Sequence, residues 1–312
     1  MASFLACGNI MSDIIKKADG TQVGPNPGGP AFFALEGIRT YSKDCALVCQ
    51  AGADFDDSYG VWMKENGVSR DHVRIATEHS TVHYLNYPEE GNGKYEWHSV
   101  YGDQNLGYLK TTPEHIDMAS EGTRGIYLAQ NMDRVFWKKL LEIKGRRGFS
   151  MMWEVEAHFE QDSLQRIKEI TTDIEMWSIN LNEASVLFGI PREHEEDIIA
   201  QIVKIPADMC FFRVGARGSW VISRNSAEFC EVVDVGCTVD PTGCGNCSTG
   251  AAMYAWVSGF DPAMTGILAN TAAGYNAAQY GVFPLFSDQI MLDARRLADE
   301  RYHVLKKEAA EG

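Results

Sequence analysis

Short apolar runs that alternate with helical segments are the feature of this sequence that most restricts its fold. The chain begins with SFLACGNI over 3–10, AFFALEGIRTYS over 31–42, CALVCQAG over 45–52 and DDSYGVWMKENG over 56–67. The runs over 3–10 and 45–52 are typical of strands buried on both faces. The runs over 31–42 and 56–67 are predicted to be helices, the second of which ends at Gly67. Strands that alternate with helices indicate a parallel sheet. Further strands are predicted over 125–129, 149–155, 176–181, 209–215 and 220–224, and the Ala-rich last third is predicted to be helical. The sequence therefore predicts one α/β domain over residues 1–312.

Residues 80–109 break this pattern, because they are rich in aromatic and β-branched residues. We expect a β-hairpin that turns at PEEGNG, with Tyr84, Tyr95 and Trp97 on one face. Together with Tyr101, these aromatic residues would form an exposed apolar patch, which predicts a homodimer. The Gly- and Pro-rich stretch over 20–30 is predicted to be a loop.

The charge and the cysteines limit the class of protein. The net charge is −15, which argues against a nucleic-acid or anionic-membrane surface, where Lys and Arg should cluster. The eight cysteines follow no regular framework and indicate reduced thiols, so we expect a cytoplasmic protein. We also expect no signal peptide and no membrane span, because no apolar run reaches about 18 residues.

The stretch VDPTGCGNCSTGAAM over 239–253 has the features of an anion-binding turn at the start of a helix. Gly243 and Gly245 permit positive φ and a close approach of the backbone. Consecutive amides then point into one concavity, and the helix adds the positive end of its dipole. A plain glycine-rich helix start would explain the loop in isolation about as well. The P-loop and dinucleotide-binding motifs are absent, so a nucleotide would bind elsewhere.

This loop resembles the second signature of the ribokinase-like (PfkB) carbohydrate kinase family, D-T-x-G-A-G-D followed by a helix of small residues. Six other segments resemble the family's motifs in the family's order: 8–13, 27–37, 48–68, 179–185, 212–221 and 268–281. The resemblance implies a three-layer α/β/α domain with a mainly parallel central sheet. It also implies a small β lid, formed by about 13–27 and 80–109, that closes over the acceptor substrate and excludes water.

The resemblance also implies roles for individual residues. The amides of Gly243, Cys244 and Gly245 would hold the transferring phosphoryl group, at a site that uses ATP and Mg²⁺. The acceptor's hydroxyls would be bound by Asp13, Gly28 and Gly29, next to Phe32. The nucleotide and its phosphates would be bound by Asn182, Arg213, Gly215, Gly218 and Asn270.

Four positions depart from the family pattern. Asn246 stands where the family has its catalytic base, and a neutral amide cannot accept a proton near pH 7. Ser185 stands in place of the glutamate of the P-N-x-x-E motif, which organises Mg²⁺ through water. Phe32 or Phe33 replaces the asparagine after the glycine pair, and Arg213 replaces a threonine. Loss of a general base costs about 10²–10⁴-fold in rate, but positioning and electrostatics contribute most to phosphoryl transfer.

Other carboxylates could compensate for Asn246. Asp240 lies on the same loop, although its place in the family is beside the phosphates. Glu154 and Glu156 lie at a strand end, on either side of Val155, where they are candidates for Mg²⁺ or acceptor contacts. Ordinary solvated acids at a strand end explain these two glutamates at least as well.

Two smaller groups of residues are weaker candidates for a site. Cys244 and Cys247 form a C-x-x-C at a helix start, which can lower the pKa of a thiol, but the thioredoxin-like sequence context is absent. A zinc site needs about four ligands, and one C-x-x-C supplies only two of them. His83, His98 and His158 are isolated from other candidate ligands in the sequence, which is typical of surface or lid histidines rather than metal ligands.

The sequence thus predicts an ATP- and Mg²⁺-dependent kinase that phosphorylates a hydroxyl of a small sugar, polyol or nucleoside. The alternative is a pseudokinase that binds nucleotide or sugar as a regulatory or scaffolding protein. Asn246 could also be an introduced residue that traps a ground-state complex.

Overall fold

The computed structural model describes residues 2–17, 19–86, 96–156, 159–236 and 238–311. The strands of this part are β1 Phe4–Cys7, β2 Met11–Lys16, β3 Gln22–Gly28, β4 Cys45–Gly52, β5 Val73–Thr77, β6 Val82–Asn86, β7 Glu96–Ser99, β8 Gly125–Gln130, β9 Ser150–Val155, β10 Met176–Asn180, β11 Met209–Arg213, β12 Gly218–Ser223 and β13 Ala227–Glu231. The helices are α1 Pro30–Arg39, α2 Val61–Glu65, α3 Gly102–Tyr108, α4 Pro113–Ala119, α5 Arg134–Arg147, α6 Ser163–Thr171, α7 Leu181–Phe188, α8 Glu195–Ile202, α9 Cys244–Val257, α10 Pro262–Ala277 and α11 Asp288–Glu311.

The main sheet has nine strands in the order β13-β12-β11-β10-β9-β8-β1-β4-β5. The strands from β11 to β5 are parallel, and β12 and β13 are antiparallel additions at one edge. Successive side chains point to opposite faces, so Phe4 and Ala6 pack against α1 and α9, whereas Leu5 and Cys7 pack against α4 and α5. The predicted three-layer α/β/α fold with a mainly parallel sheet is confirmed.

A second, four-stranded sheet has the order β3-β2-β6-β7. The predicted hairpin is confirmed, because β6 and β7 pair antiparallel up to Asn86 and Glu96. Its turn at PEEGNG and Tyr95 lie outside the described residues. This sheet draws on residues 11–28, 82–86 and 96–99, within or close to the ranges expected for the lid.

The predicted loop over 20–30 is wrong for most of its length, because residues 22–28 form β3. This strand pairs antiparallel with β2 and has no other neighbour in the second sheet as far as the structure describes it. Pro25 and Pro27 are tolerated because an edge strand leaves one row of backbone groups unpaired. The predicted strand over 3–10 also ends early, at Cys7, and the chain then passes through Gly8 into β2 of the second sheet.

The predicted helix over 56–67 is present in two parts, one turn of π-helix at Asp56–Gly60 followed by α2. Gly67 follows with φ 67° and ends it, as expected. No helix of the described ranges combines the length and apolar character needed to cross a membrane.

Helices α1 and α9 cross at two glycines. A Cβ atom added to Gly250 would lie 2.3 Å from the Ala34 carbonyl oxygen, and one added to Gly37 would lie 2.0 Å from the Cys247 carbonyl oxygen. The glycine pair 28–29 precedes α1, and the loop 240–243 precedes α9. The close crossing therefore fixes the distance between the two loops that were expected to bind the acceptor and the phosphates.

Gly250→Ala should lower the free energy of unfolding by at least about 2 kcal/mol, because the new methyl group overlaps backbone atoms that cannot move freely. The measurement is urea unfolding followed by circular dichroism. Gly145→Ala is the matched control, since Gly145 is an exposed glycine within α5 and its Cβ would meet no atom within 4 Å. The control should gain up to about 1 kcal/mol from better helix propensity. Equal stability of Gly250→Ala and the wild type would contradict the close crossing.

Candidate functional site

The loop at the start of α9 is held in one shape by its own side chains. Gly243 caps the helix in the left-handed region at φ 80°. Asp240 Oδ1 accepts hydrogen bonds from the Thr242 amide at 3.1 Å and from the Thr242 hydroxyl at 2.8 Å. A Cβ atom at Gly243 would lie 2.3 Å from the ring of Phe33, so only glycine fits between this ring and the loop.

Three backbone amides remain open at this helix start. The Cys247 amide donates to the Gly243 carbonyl at 2.9 Å, and the Cys244 amide donates to the Pro241 carbonyl at 3.2 Å. Within the described residues, the amides of Gly243, Gly245 and Asn246 make no hydrogen bond. Open amides at the positive end of a helix dipole favour an anion. Of the three amides expected from the sequence, those of Gly243 and Gly245 are open and that of Cys244 is engaged in the turn.

The residues expected to bind the acceptor lie on one side of this loop. Asp13 is buried on β2, and its Oδ2 lies 3.1 Å from where a Cβ of Gly28 would be. The Phe33 ring lies against both Gly28 and Gly243, so it connects the two glycine loops. Gly29 caps α1 at φ 91°, and a Cβ there would lie 2.6 Å from the Met11 amide nitrogen.

Phe32 lies elsewhere, in the core of the fold. Its ring packs edge-on against Tyr59 and Trp62, with ring centroids 4.9 Å away in each case, and it is fully buried. Of the two candidates for the family's asparagine position, the structure brings Phe33 rather than Phe32 to the phosphate loop.

Two carboxyl groups interact on the acceptor side. Burial raises the pKa of Asp13 to about 7, and the nearby Asp240 acts on it in the same direction. Burial also raises the pKa of Asp240. Asp240 Oδ2 is buried and has no hydrogen-bond partner among the described residues, so this oxygen is available to a ligand hydroxyl.

Charged side chains from neighbouring strands meet on the other side of the loop. Glu154 belongs to β9 and Arg213 ends β11, and the Arg213 Nη1 atom lies 2.8 Å from Glu154 Oε1. Glu183, in the first turn of α7 after β10, has Oε2 at 3.8 Å from Arg213 Nη2. The hydroxyl of Tyr127 on β8 donates to Glu154 Oε2 at 2.5 Å. We call these four side chains, Tyr127, Glu154, Glu183 and Arg213, the arginine cluster.

Asn246 is joined to the arginine cluster. Its Nδ2 atom donates to the Tyr127 hydroxyl oxygen at 3.3 Å, and that hydroxyl directs its own proton towards Glu154. Burial, followed by the Glu154 charge, holds the pKa of Tyr127 well above its usual value. The side-chain amide of Asn246 is therefore a hydrogen-bond donor to Tyr127 on β8, and it accepts no proton in this arrangement.

Sequence reasoning missed Glu183. Asn180 caps α7 and forms a capping box with Glu183: the Glu183 amide donates to Asn180 Oδ1 at 3.0 Å, and the Asn180 amide donates to Glu183 Oε2 at 2.8 Å. Asn182 is exposed and its Oδ1 accepts from Arg192, and Ser185 lies in the second turn of α7. Asn180-x-x-Glu183 has the spacing of the N-x-x-E motif. The signal was therefore present two residues before the predicted position.

The residues expected along the nucleotide groove make backbone contacts. Gly215 has φ 68°, and a Cβ at Gly218 would lie 2.1 Å from the Cys230 carbonyl oxygen. The Asn270 Nδ2 atom donates to the Cys230 and Glu231 carbonyls at 2.7 and 3.0 Å, and its Oδ1 accepts from Ser219. Asn270 thus holds β12 and β13 against α10, and its nucleotide role stays a prediction.

The carboxylates of the arginine cluster do not fit direct coordination of a Mg²⁺ ion, because other groups already engage their oxygens. Mg²⁺ is octahedral, and it usually takes one or two carboxylates together with waters and substrate phosphates. Both oxygens of Glu154 are engaged by Arg213 and Tyr127, and Glu183 Oε2 is engaged by the Asn180 amide. Among the described residues, no group of three or more His, Cys, Asp or Glu could hold a metal. A guanidinium occupies the place between the carboxylates.

The remaining candidates lack the properties of a reactive site. Burial raises the pKa of Cys244 to about 11 and holds that of Cys247 well above its usual value, which disfavours a reactive thiolate. His98 stacks on Tyr84 within the second sheet, and burial lowers the pKa of His83. His158 lies outside the described residues.

Comparisons with known proteins bear on the family and the fold. A family model described as pfkB family carbohydrate kinase matches residues 1–286. No curated protein sequence matches the chain. Solved structures also match, at identities low enough that each shows a shared fold alone.

Three solved structures illustrate the likeness. A nucleoside kinase from Burkholderia thailandensis in complex with inosine has a TM-score of 0.70 at 18% identity, covering 94% of this chain and 95% of that chain. Adenosine kinase from Sinorhizobium meliloti has a TM-score of 0.72 at 16% identity, with 95% and 99% covered. Ribokinase from Arabidopsis thaliana, complexed with ribose and ATP, has a TM-score of 0.68 at 16% identity, with 96% and 99% covered.

The raised pKa of Asp13 predicts a pH dependence of stability. The folded state binds this proton more tightly than the unfolded state, so the stabilisation is complete below about pH 4 and is lost as the pH rises through about 7. Between pH 4 and 7.5, wild-type unfolding free energy should fall by about 2–4 kcal/mol relative to Asp13→Asn, measured by urea unfolding. Asp19→Asn is the control, because Asp19 is exposed and its pKa is lowered by hydrogen bonds from Thr21. Parallel pH profiles for wild type and Asp13→Asn would refute the assignment.

Proposed function

Because the chain belongs to the PfkB family of carbohydrate kinases, we propose that it transfers a phosphoryl group from ATP to a hydroxyl of a small sugar, polyol or nucleoside. The observation that carries this proposal is the position of the open amides of Gly243, Gly245 and Asn246. The buried Asp13 lies beside Gly28 and near the buried Asp240, and the Arg213 guanidinium lies against Gly245. A hydroxyl-binding group, an anion hole and a cation are the parts that phosphoryl transfer needs.

In the proposed reaction, the acceptor hydroxyl is bound by Asp13 and Asp240. Its oxygen forms a bond to the γ-phosphorus of ATP, the bond from that phosphorus to the β,γ-bridging oxygen breaks, and ADP leaves. The hydroxyl proton goes to Asp240, whose Oδ2 has no competing hydrogen bond in the described structure. The open amides stabilise the charge on the transferring group, and positioning contributes most of the catalysis.

The class of acceptor follows from the family and from the relatives of known structure. The family is named for carbohydrate kinases, and the neighbours include a ribokinase complexed with ribose and a nucleoside kinase complexed with inosine. We propose that the second sheet acts as a lid, since Asp13 lies on its strand β2, Gly28 ends its strand β3, and β6 and β7 extend the sheet from β2. Arg213 engages the carboxylates that could coordinate the Mg²⁺ implied by the resemblance, so the charge stabilisation in this proposal comes from Arg213 and the open amides.

A pseudokinase is the second candidate, and Asn246 is the observation that favours it. The side-chain nitrogen of Asn246 points to Tyr127 and donates to it, so the family's base position holds no proton acceptor. Under this alternative, the fold binds nucleotide or sugar and turns neither over. The difference between the two candidates is whether Asp240 performs the proton transfer.

We also propose a cytoplasmic homodimer that pairs through the second sheet and the helix after it. Val100, Tyr101 and Tyr108 are more than two-fifths exposed there, with Tyr108 at 59%. Apolar side chains grouped on one surface are typical of a protein–protein contact.

Turnover of ATP with a panel of sugars, polyols and nucleosides tests the function. The wild type should transfer slowly, and Asp240→Asn should lower kcat by about 10²–10⁴-fold while the acceptor's KM changes far less. Asn246→Asp should raise kcat by at least about 10-fold, because it restores a carboxylate at the family's base position. Asp71→Asn serves as the matched control, since Asp71 is an exposed acid outside the second sheet, and it should leave both constants unchanged. An inactive wild type with an active Asn246→Asp variant would establish the pseudokinase instead.

The homodimer is tested by light scattering after size-exclusion chromatography at micromolar concentration. We expect twice the mass of one chain. Tyr108→Asp should shift the mass towards one chain, because it places a charge in the apolar contact, whereas the exposed Val186→Asp on α7 should leave the dimer intact. A wild-type mass equal to one chain would contradict the proposal.

A further inference from the structure

The guanidinium of Arg213 touches the phosphate loop itself. A Cβ atom added to Gly245 would lie 2.3 Å from the Arg213 Nη1 atom. The open amide of Gly245 and the amide of Asn246 begin the same helix. A permanent positive charge therefore sits directly against the first turn of α9, where an anion is favoured by the amides and the helix dipole.

Arg213 has N–H donors that make no hydrogen bond within the described structure. A guanidinium carries five N–H donors. Nη1 is engaged by Glu154 at 2.8 Å, whereas Nη2 is 3.8 Å from Glu183, beyond hydrogen-bond distance. The Nε atom is buried and has no hydrogen-bond partner in the described structure. An unsatisfied buried donor is costly, and a phosphate oxygen would satisfy donors of this kind.

The charges around Arg213 permit a further anion to bind. Glu154 and Glu183 oppose the guanidinium, but burial raises the pKa of Glu183, and the Tyr127 hydroxyl disperses the charge of Glu154. The raised pKa makes Glu183 easier to protonate than a free glutamate, which reduces its opposition to an approaching phosphate. A divalent ion would have to displace the guanidinium from the same two carboxylates before it could bind there.

We propose that Arg213 is the fixed cation of the phosphate site, so that a nucleoside di- or triphosphate binds there without a divalent metal ion. This inference rests on the proposed function, because it takes a nucleotide to be the ligand of the loop. Arg213 contacts the phosphates by charge-assisted hydrogen bonds, and the open amides of α9 contact them from the other side. Glu154 and Glu183 orient the guanidinium.

The test is isothermal titration calorimetry of the full chain with ADP, once in EDTA and once in excess Mg²⁺. For the wild type, the two Kd values should agree within about threefold. Arg213→Thr should weaken binding in EDTA by about 10- to 100-fold, the loss expected for charge-assisted hydrogen bonds. Arg224→Thr is the matched control, since Arg224 is an exposed arginine that bonds to the Pro206 carbonyl after β12. The control should bind ADP as the wild type does.

Removal of Arg213 leaves the buried Glu154 and the partly buried Glu183 without their cation, so thermal melting without ADP should be measured for each variant. If Arg213→Thr does not fold, Arg213→Lys decides the point. Lysine keeps the charge without the planar fork, so we expect EDTA-insensitive binding that is about 3- to 10-fold weaker. Affinity equal to that of the wild type would overturn the proposal.

The wild-type measurement distinguishes failure of this inference from failure of the proposed function. ADP binding that requires Mg²⁺ would overturn the role of Arg213 and leave the proposed function standing. Absence of ADP binding in both buffers would overturn the proposed function, and the inference with it. Metal-insensitive binding that Arg213→Thr weakens supports both.

Discussion

The largely buried ion pairs of Arg213 with Glu154 and Glu183 are the interaction on which the site depends. Burying an ion costs several kcal/mol, and a pair repays this cost only when its geometry is good. Glu154 and Arg213 come from β9 and β11, and Glu183 follows β10, so the contact fixes three neighbouring strand ends relative to one another. Gly245 packs against the same guanidinium, which places the first turn of α9. The strand ends and the phosphate loop are therefore positioned by the same guanidinium group.

The same contact explains the surroundings of Asn246. The side-chain amide of Asn246 donates a hydrogen bond to the Tyr127 hydroxyl, and that hydroxyl donates to Glu154. Glu154 is in turn paired with Arg213. An aspartate at position 246 would bring a third carboxylate towards this cluster, where like charges raise one another's pKa. A neutral Asn246 thus adds no further negative charge to a cluster in which one arginine already faces two glutamates. If the proposals for Arg213 and Asp240 hold, the guanidinium binds the phosphates and Asp240 takes the proton.

Much of the fold was predictable because its central strands are apolar on both faces, as β1, β4 and β8 show. The strands β5 and β13 were missed because they are half-exposed edge strands without a clear pattern, and β3 was missed because its prolines suggested a loop. The phosphate loop was predictable from local glycine spacing. The arginine cluster was not, because its members are distant in sequence and meet only through sheet register. Glu183 was misassigned by a two-residue shift in an otherwise visible motif.

The central claim is that Arg213 and the open amides of α9 together form a phosphate site. Its most direct test is a crystal structure of the full chain with ADP in EDTA. We predict that the β-phosphate oxygens lie within hydrogen-bond distance, about 2.7–3.2 Å, of an Arg213 nitrogen and of the Gly245 or Asn246 amide. ADP bound with its phosphates away from Arg213 would contradict the claim.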